Sequence, residues 1–125
     1  MNILLDTNVL LWYFCGSERI DNIKRLIESD ETTVFVSAAS FWEIAIKVRT
    51  GKLTVDVEQL RSSAEQHCFN ELPITNKYIK KYLELPGLHK DPFDHMLLAQ
   101  AITAPMRLIT CDPFSAEYSS LVMVV

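Results

Sequence analysis

The chain has 125 residues, of which 49% are hydrophobic and 22% charged, and its formal net charge is −4. Those values predict one globular domain spanning 1–125, large enough to bury a core without disulfide or metal staples. No apolar stretch is long enough to cross a bilayer, and an acidic balance speaks against a broad basic surface of the kind that grips nucleic acid.

Along the chain, short apolar runs alternate with segments of helical spacing. Ile3-Leu4-Leu5 reads as a buried strand, and Val9-Leu10-Leu11-Trp12 opens a helix. Ser17 is an N-cap candidate for a segment with Ile20, Ile23, Leu26 and Ile27 on one face. Thr33-Val34-Phe35-Val36, β-branched and aromatic, predicts a strand. Ser37 then caps a helix through Phe41, Trp42, Ala45 and Val48 that Gly51 stops. Asp56 with Gln59 makes a weak capping box for a helix containing Leu60 and Ala64. Phe69 to Ile74 predicts a strand broken at Pro73. Thr75 caps a helix with Tyr78, Ile79, Tyr82 and Leu83 inward, ended by Pro86-Gly87. Asp91-Pro92 starts another helix, Arg107-Leu108-Ile109-Thr110 is a strand leading to Asp112-Pro113, and Leu121 to Val125 supplies a last short strand.

This alternation predicts an α/β three-layer domain with a mostly parallel sheet flanked by helices. Ligands in such folds bind beyond the carboxyl ends of the strands. Asp6 follows the first strand, Glu43 lies in the second turn of the helix after the second strand, and Asp112 follows the strand ending at Thr110. Asp94 lies in the first turn of the helix that returns to start that strand. Four separate segments thus bring an acid to one edge. Carboxylates gathered in a partly buried pocket repel one another unless a cation neutralises them. An all-oxygen donor set suits Mg²⁺ or Mn²⁺ over Zn²⁺, and the matching chemistry is phosphodiester hydrolysis.

Each acid also has a plainer reading. Asp91-Pro92-Phe93-Asp94 is a good helix start by propensity alone, with Asp91 as the cap and Asp94 left for the metal. Glu43 can pair with Lys47 at i,i+4, a surface bridge of about 0.3–0.5 kcal/mol, although the surrounding Trp42, Ile44, Ala45 and Ile46 favour a buried acid. Asp6 suits an Asx-turn and Asp112-Pro113 a turn start. Thr7, Asn8 and Ser37 flank the pocket and could orient carboxylates or water. His67, His89 and His95 lack ligand spacing and are expected in surface or capping roles. Cys15, Cys68 and Cys111 are odd in number and share no ligand spacing. Met1-Asn2-Ile3-Leu4-Leu5-Asp6 has no basic segment of the signal-peptide kind, so a reduced cytoplasmic setting is expected, with the thiols as core filler.

At these residues the chain resembles PIN domains, specifically the VapC-type toxins of bacterial toxin–antitoxin pairs. Four blocks carry the resemblance, in order along nearly the whole chain. The first is Leu5-Asp6-Thr7-Asn8-Val9-Leu10-Leu11-Trp12. The second runs from Ser37 through Phe41-Trp42-Glu43-Ile44-Ala45-Ile46-Lys47, with Gly51-Lys52-Leu53. The third is His89-Lys90-Asp91-Pro92-Phe93-Asp94-His95 on to Ala101, and the fourth is Leu108-Ile109-Thr110-Cys111-Asp112. The resemblance implies a PIN-like fold, Mg²⁺ or Mn²⁺ held by Asp6, Glu43, Asp94 and Asp112, and endonucleolytic cleavage of RNA. It also implies a homodimer and a cognate antitoxin that plugs the site. His95 stands where such proteins often carry Arg. Metal on four acids would soften the charge objection.

Two other readings compete. An Asp-dependent phosphatase or phosphotransfer domain would want a second acid close to Asp6 and a Lys at the end of a later strand, and neither Asp6-Thr7-Asn8 nor Thr110-Cys111-Asp112 supplies them. A non-catalytic module would use the acidic pocket to bind a basic peptide, and would do so without metal-dependent RNA cleavage.

Overall fold

Ile3, Leu4 and Leu5 are all fully buried, which a strand achieves only when both faces of its sheet are covered. They lie in β1 (Asn2–Leu5), the centre of a five-stranded sheet in the order β3-β2-β1-β4-β5. The other strands are β2 (Thr33–Ser37), β3 (Asn70–Leu72), β4 (Arg107–Thr110) and β5 (Val122–Val124). Every pairing among the described residues is parallel. The computed structural model describes residues 1–87 and 91–125. Of the residues singled out above, His89 lies outside them.

Side chains alternate across this sheet with period two. Leu4, Leu72 and Leu108 point to one side, under α5 (Asn76–Glu84) and α6 (Pro92–Thr103), and pack with Tyr78, Leu97, Leu98 and Ala101. Ile3, Leu5, Val34 and Ile109 point to the other side, against α1 (Thr7–Cys15) and α2 (Asp21–Glu28). Val36 shares that side with Phe41 and Ile44 of α3 (Ala38–Arg49) and with Leu60 and Ala64 of α4 (Val57–Gln66). The result is the three-layer α/β arrangement expected from the alternation of elements.

The strand order sets the position of any site. From β1 the chain moves outward through β2 to β3, then returns to the other side of β1 for β4 and β5. The direction of winding therefore reverses between β1 and β4, and in open parallel sheets the crevice at such a reversal, beyond the carboxyl ends of the strands, is where ligands bind. Asp6 follows β1 and Asp112 follows β4 by one residue.

Several local expectations meet a correction. Ile79 is 43% and Leu83 79% exposed: α5 turns Tyr78 into the core, while Tyr82 stacks on His95. Ser17 caps a 3-10 turn, Glu18–Ile20, and α2 follows it. Thr75 holds the N-cap position of α5 but makes no capping hydrogen bond. Cys15 and Cys68 are exposed and Cys111 half-buried, so the thiols do not fill the core. His67 accords with a capping role, its Nδ1 2.8 Å from the Ser63 carbonyl at the end of α4. His95 does not: it is buried between Tyr82 and Tyr118. No helix among the described residues is long and apolar enough to cross a membrane.

Leu4 is the apolar anchor between the central strand and α6, so Leu4→Ala should destabilise the fold by about 2–5 kcal/mol. The check is a fall in the urea midpoint with the slope of the transition unchanged.

Candidate active site

The edge where the strands end is shaped by caps. Asp6 is the N-cap of α1, its Oδ1 accepting from the Val9 N–H at 2.8 Å. Its Oδ2 accepts from the Thr110 hydroxyl at 2.5 Å and from the Cys111 N–H at 3.2 Å. The carboxylate is therefore stitched to its own helix and to the end of β4, and it is only 3% exposed. Thr110 has a defined polarity. Its oxygen accepts from the Asp112 N–H at 3.0 Å, which leaves its single proton for Asp6. Asp112 in turn caps the 3-10 turn Pro113–Glu117, with the Phe114 N–H on Oδ1 at 3.0 Å and the Ser115 hydroxyl on Oδ2 at 3.1 Å.

Glu43 approaches from α3. Thr7, the first residue of α1, donates its hydroxyl to Glu43 Oε1 at 2.6 Å, and the Ser40 hydroxyl lies 3.1 Å from the Thr7 oxygen. Lys47 reaches Glu43 Oε2 at 3.0 Å, so the expected i,i+4 bridge is present. It is not a solvated surface pair, because Glu43 is buried. The surrounding apolar stretch is not buried all round: Trp42 is 59% and Ile46 40% exposed. Trp42 packs edge-on against Phe93, ring centroids 5.1 Å apart. Each ring immediately precedes an acid, so this contact brings the turn bearing Glu43 beside the turn bearing Asp94.

Asp91 takes the capping role at α6, its Oδ1 accepting from the Phe93 and Asp94 N–H groups at 2.8 and 3.2 Å. Asp94 is half-buried in the first turn. Its place in the cluster is seen in Cys111, whose thiol is pushed up chiefly by burial and further by the charges of Asp6 and Asp94, against a hydrogen bond from Asn8. That contact, Asn8 Nδ2 to Cys111 Sγ, is 3.5 Å long.

The structure links Asp6 and Glu43 through α1, joins Asp112 to Asp6 through Thr110 and brings Asp94 within electrostatic reach of Cys111. Of the flanking residues, Thr7 orients Glu43 directly. Asn8 meets the Cys111 sulfur and not a carboxylate. Ser37 accepts from the Ala39 N–H at 3.0 Å as the cap of α3. Sequence reasoning missed Thr110 and Ser40. A hydroxyl two residues before Asp112, at the end of a strand, was the available signal for the first.

Burial and crowding set the electrostatics. The Asp6 carboxyl is held above its ordinary 3.8, first by burial and also by the negative charge of Glu43, while hydrogen bonds from Thr110, Val9 and Cys111 pull it down. The donor set is entirely oxygen, and a charge-poor buried carboxylate beside a second one is a place where a divalent cation gains on both counts. Among the described residues no three acid, His or Cys side chains close on one point.

The PIN-domain family model matches residues 3–117. No curated protein matches the sequence significantly. Among solved structures, the chain is similar to a toxin–antitoxin complex from Klebsiella pneumoniae at 18% identity and TM-score 0.71, covering 98% of this chain and 96% of the other. It is similar to VapBC2 from Rickettsia felis bound to a promoter DNA fragment, at 18% identity and TM-score 0.70, over 100% and 98% of the two chains. FitAcB from Neisseria gonorrhoeae matches at 22% identity and TM-score 0.66, over 97% and 96%. At these identities the likeness establishes the shared fold.

The raised Asp6 carboxyl has a signed consequence for stability. The unfolded chain releases this proton near 3.8, the folded chain at higher pH. Between the two the native state holds the extra proton, so the contribution of Asp6 falls as pH rises through that window. In EDTA, wild type should therefore lose stability relative to Asp6→Asn as pH is raised from 3.8 toward neutrality. Urea midpoints of both proteins across the range test this, and parallel profiles would show that Asp6 is not perturbed.

Proposed function

The chain belongs to the PIN-domain family, and from that premise we propose that it is a Mg²⁺- or Mn²⁺-dependent endoribonuclease acting as the toxin of a toxin–antitoxin pair. The observation that carries the proposal is the buried Asp6 at the winding reversal of the sheet, beside Glu43 and held by the Thr110 hydroxyl. A carboxylate kept in so unfavourable a setting, next to another, suits a cation far better than it suits stability alone.

Asp6, Asp94 and Asp112 are proposed as the principal metal ligands, with Glu43 completing the set directly or through water. When bound, the divalent ion supplies an activated water and neutralises charge on the phosphoryl oxygens. The chain's own residues prepare that chemistry. Thr110 donates to Asp6 and so favours its ionised form. Thr7 holds Oε1 of Glu43 and Lys47 lies on Oε2, so the carboxylate is held from both sides, and Glu43 would orient the attacking water through Oε2 once Lys47 moves off it. Asp91 supplies the cap of α6, accepting from the Phe93 and Asp94 N–H groups. The substrate proposed is RNA, and the cleavage endonucleolytic.

Toxin–antitoxin assemblies with this fold support a cognate antitoxin as partner, and a homodimer would bring local basic patches together despite the net charge of −4. An acidic crevice favours a cationic inhibitor, so an Arg or Lys of the antitoxin is proposed to enter it. Among the described residues no strand ends in a Lys, which leaves the phosphatase alternative without its usual partner.

Purified protein should cleave RNA with Mn²⁺ or Mg²⁺ and stop in EDTA. Asp94→Asn should lose at least about a hundredfold in rate, since a metal ligand is removed, while Asp91→Asn, which keeps a good N-cap, should retain most activity. The reverse ranking of these two variants refutes the assignment. Binding of basic peptides with no metal-dependent cleavage would favour the interaction module.

Expressed alone, the protein should arrest bacterial growth, and a small neighbour-encoded partner should relieve the arrest. Asp6→Ala should abolish it; the variant loses the α1 cap, a cost of about 0.5–2 kcal/mol partly offset by relief of carboxylate repulsion, and should still keep the circular dichroism of wild type. A folded Asp6→Ala protein as toxic as wild type would rule out this site as the cause.

A further inference from the structure

Lys47 sits where a cation is wanted. Thr7 occupies Glu43 Oε1, and Lys47 Nζ lies 3.0 Å from the other oxygen, Oε2. The Glu43 side chain is 10% exposed and the Lys47 side chain 40% exposed. One partner is therefore fixed inside the crevice, while the other stands at its mouth on a flexible four-carbon stem. A lysine ammonium is a compact point charge with donors only, able to leave one oxygen for another without disturbing the helix that carries it. Asp6 and Glu43 repel each other across the crevice, so in the absence of metal the ammonium is the positive charge that offsets Glu43.

We infer that Lys47 is an internal counter-ion that competes with the divalent metal for Glu43 and, once displaced, holds a phosphate of the RNA backbone. The inference rests on the metal-dependent nuclease reading and deepens it into a regulation of the same site. A divalent ion near Glu43 repels the ammonium and takes over its neutralising task. The freed Nζ, half-exposed at the crevice mouth, then meets the next anion available, which in the nuclease is a phosphate. Metal loading and RNA binding are thereby coupled, and coupling of binding equilibria is reciprocal. A lysine serving only as a surface bridge of α3 would stabilise the protein equally with and without metal.

The experiment compares wild type with Lys47→Met and Lys47→Arg. Melting temperature is measured in EDTA and in saturating Mn²⁺, Mn²⁺ affinity by calorimetry, and RNA cleavage as kcat and KM. Lys47→Met should melt below wild type in EDTA, and its Mn²⁺-induced rise should be the larger of the two. Its Mn²⁺ dissociation constant should fall by about tenfold, the scale of removing one nearby charge that stands half-exposed to solvent, and its KM for RNA should rise severalfold with kcat nearly kept. Lys47→Arg, which keeps the charge, should follow wild type. Equal Mn²⁺-induced rises and an unchanged Mn²⁺ affinity in wild type and Lys47→Met overturn the inference and leave the nuclease reading intact. No Mn²⁺ response in wild type overturns the metal reading itself, and the counter-ion role with it.

Discussion

The hydrogen bond from Thr110 to Asp6 ties the carboxyl end of the central strand to that of its neighbour, and much of the crevice depends on it. Its direction is set by the Asp112 N–H, which donates to the same threonine oxygen. One hydroxyl therefore fixes the rotamer of Asp6, favours its ionised form, and locates the backbone of Asp112. Burial pushes the Asp6 carboxyl up, and the Thr110, Val9 and Cys111 donors pull it back down. The bond is possible only because β1 and β4 are adjacent and parallel, so that their last residues arrive side by side.

Capping and chemistry are not alternatives at this edge. Asp6 caps α1 with one oxygen and takes the Thr110 and Cys111 donors on the other. Asp112 caps the turn that follows β4. Asp91 and Asp94 divide the two tasks between them at α6, Asp91 supplying the cap. A carboxylate oxygen has two lone pairs, so an acid already held by a backbone N–H can still face a cation, and it does so from a pre-set position. The caps that shape the helices thus also aim the acids. The local reading of Asp112 as a turn start therefore holds, whereas Asp6, read as an Asx-turn, is instead the cap of α1.

The acidic balance of the chain looks unpromising for a protein that handles a polyanion, but the relevant charge is local. Lys47 answers part of the charge of the buried Glu43. Beside it, Trp42 and Phe93 form an aromatic pair between the acid-bearing turns of α3 and α6. That pair holds the two helix starts together, even though Trp42 remains largely open to solvent.

The alternation of strand and helix, the caps at Ser37, Asp56 and Asp91, and the arrival of the acids at one sheet edge were legible in the sequence. Each depends on neighbours within a few residues or on the periodicity of a single element. The strand order was not legible, because pairing β1 with both β2 and β4 depends on helices packing across the sheet. The same holds for α5, where spacing alone could not say that Tyr78 faces the core while Ile79 and Leu83 face outward. His95, polar by type, is buried only because α5 and the turn after β4 close over it with Tyr82 and Tyr118. Thr110 and Thr7 look like ordinary strand-end and helix-start residues until the partner acids arrive from 104 and 36 residues away. Sequence determined which carboxylates stand at the ends of their elements; tertiary structure decided that Thr110 holds Asp6 and Thr7 holds Glu43, because a hydrogen bond between distant segments exists only after the sheet has brought their ends together.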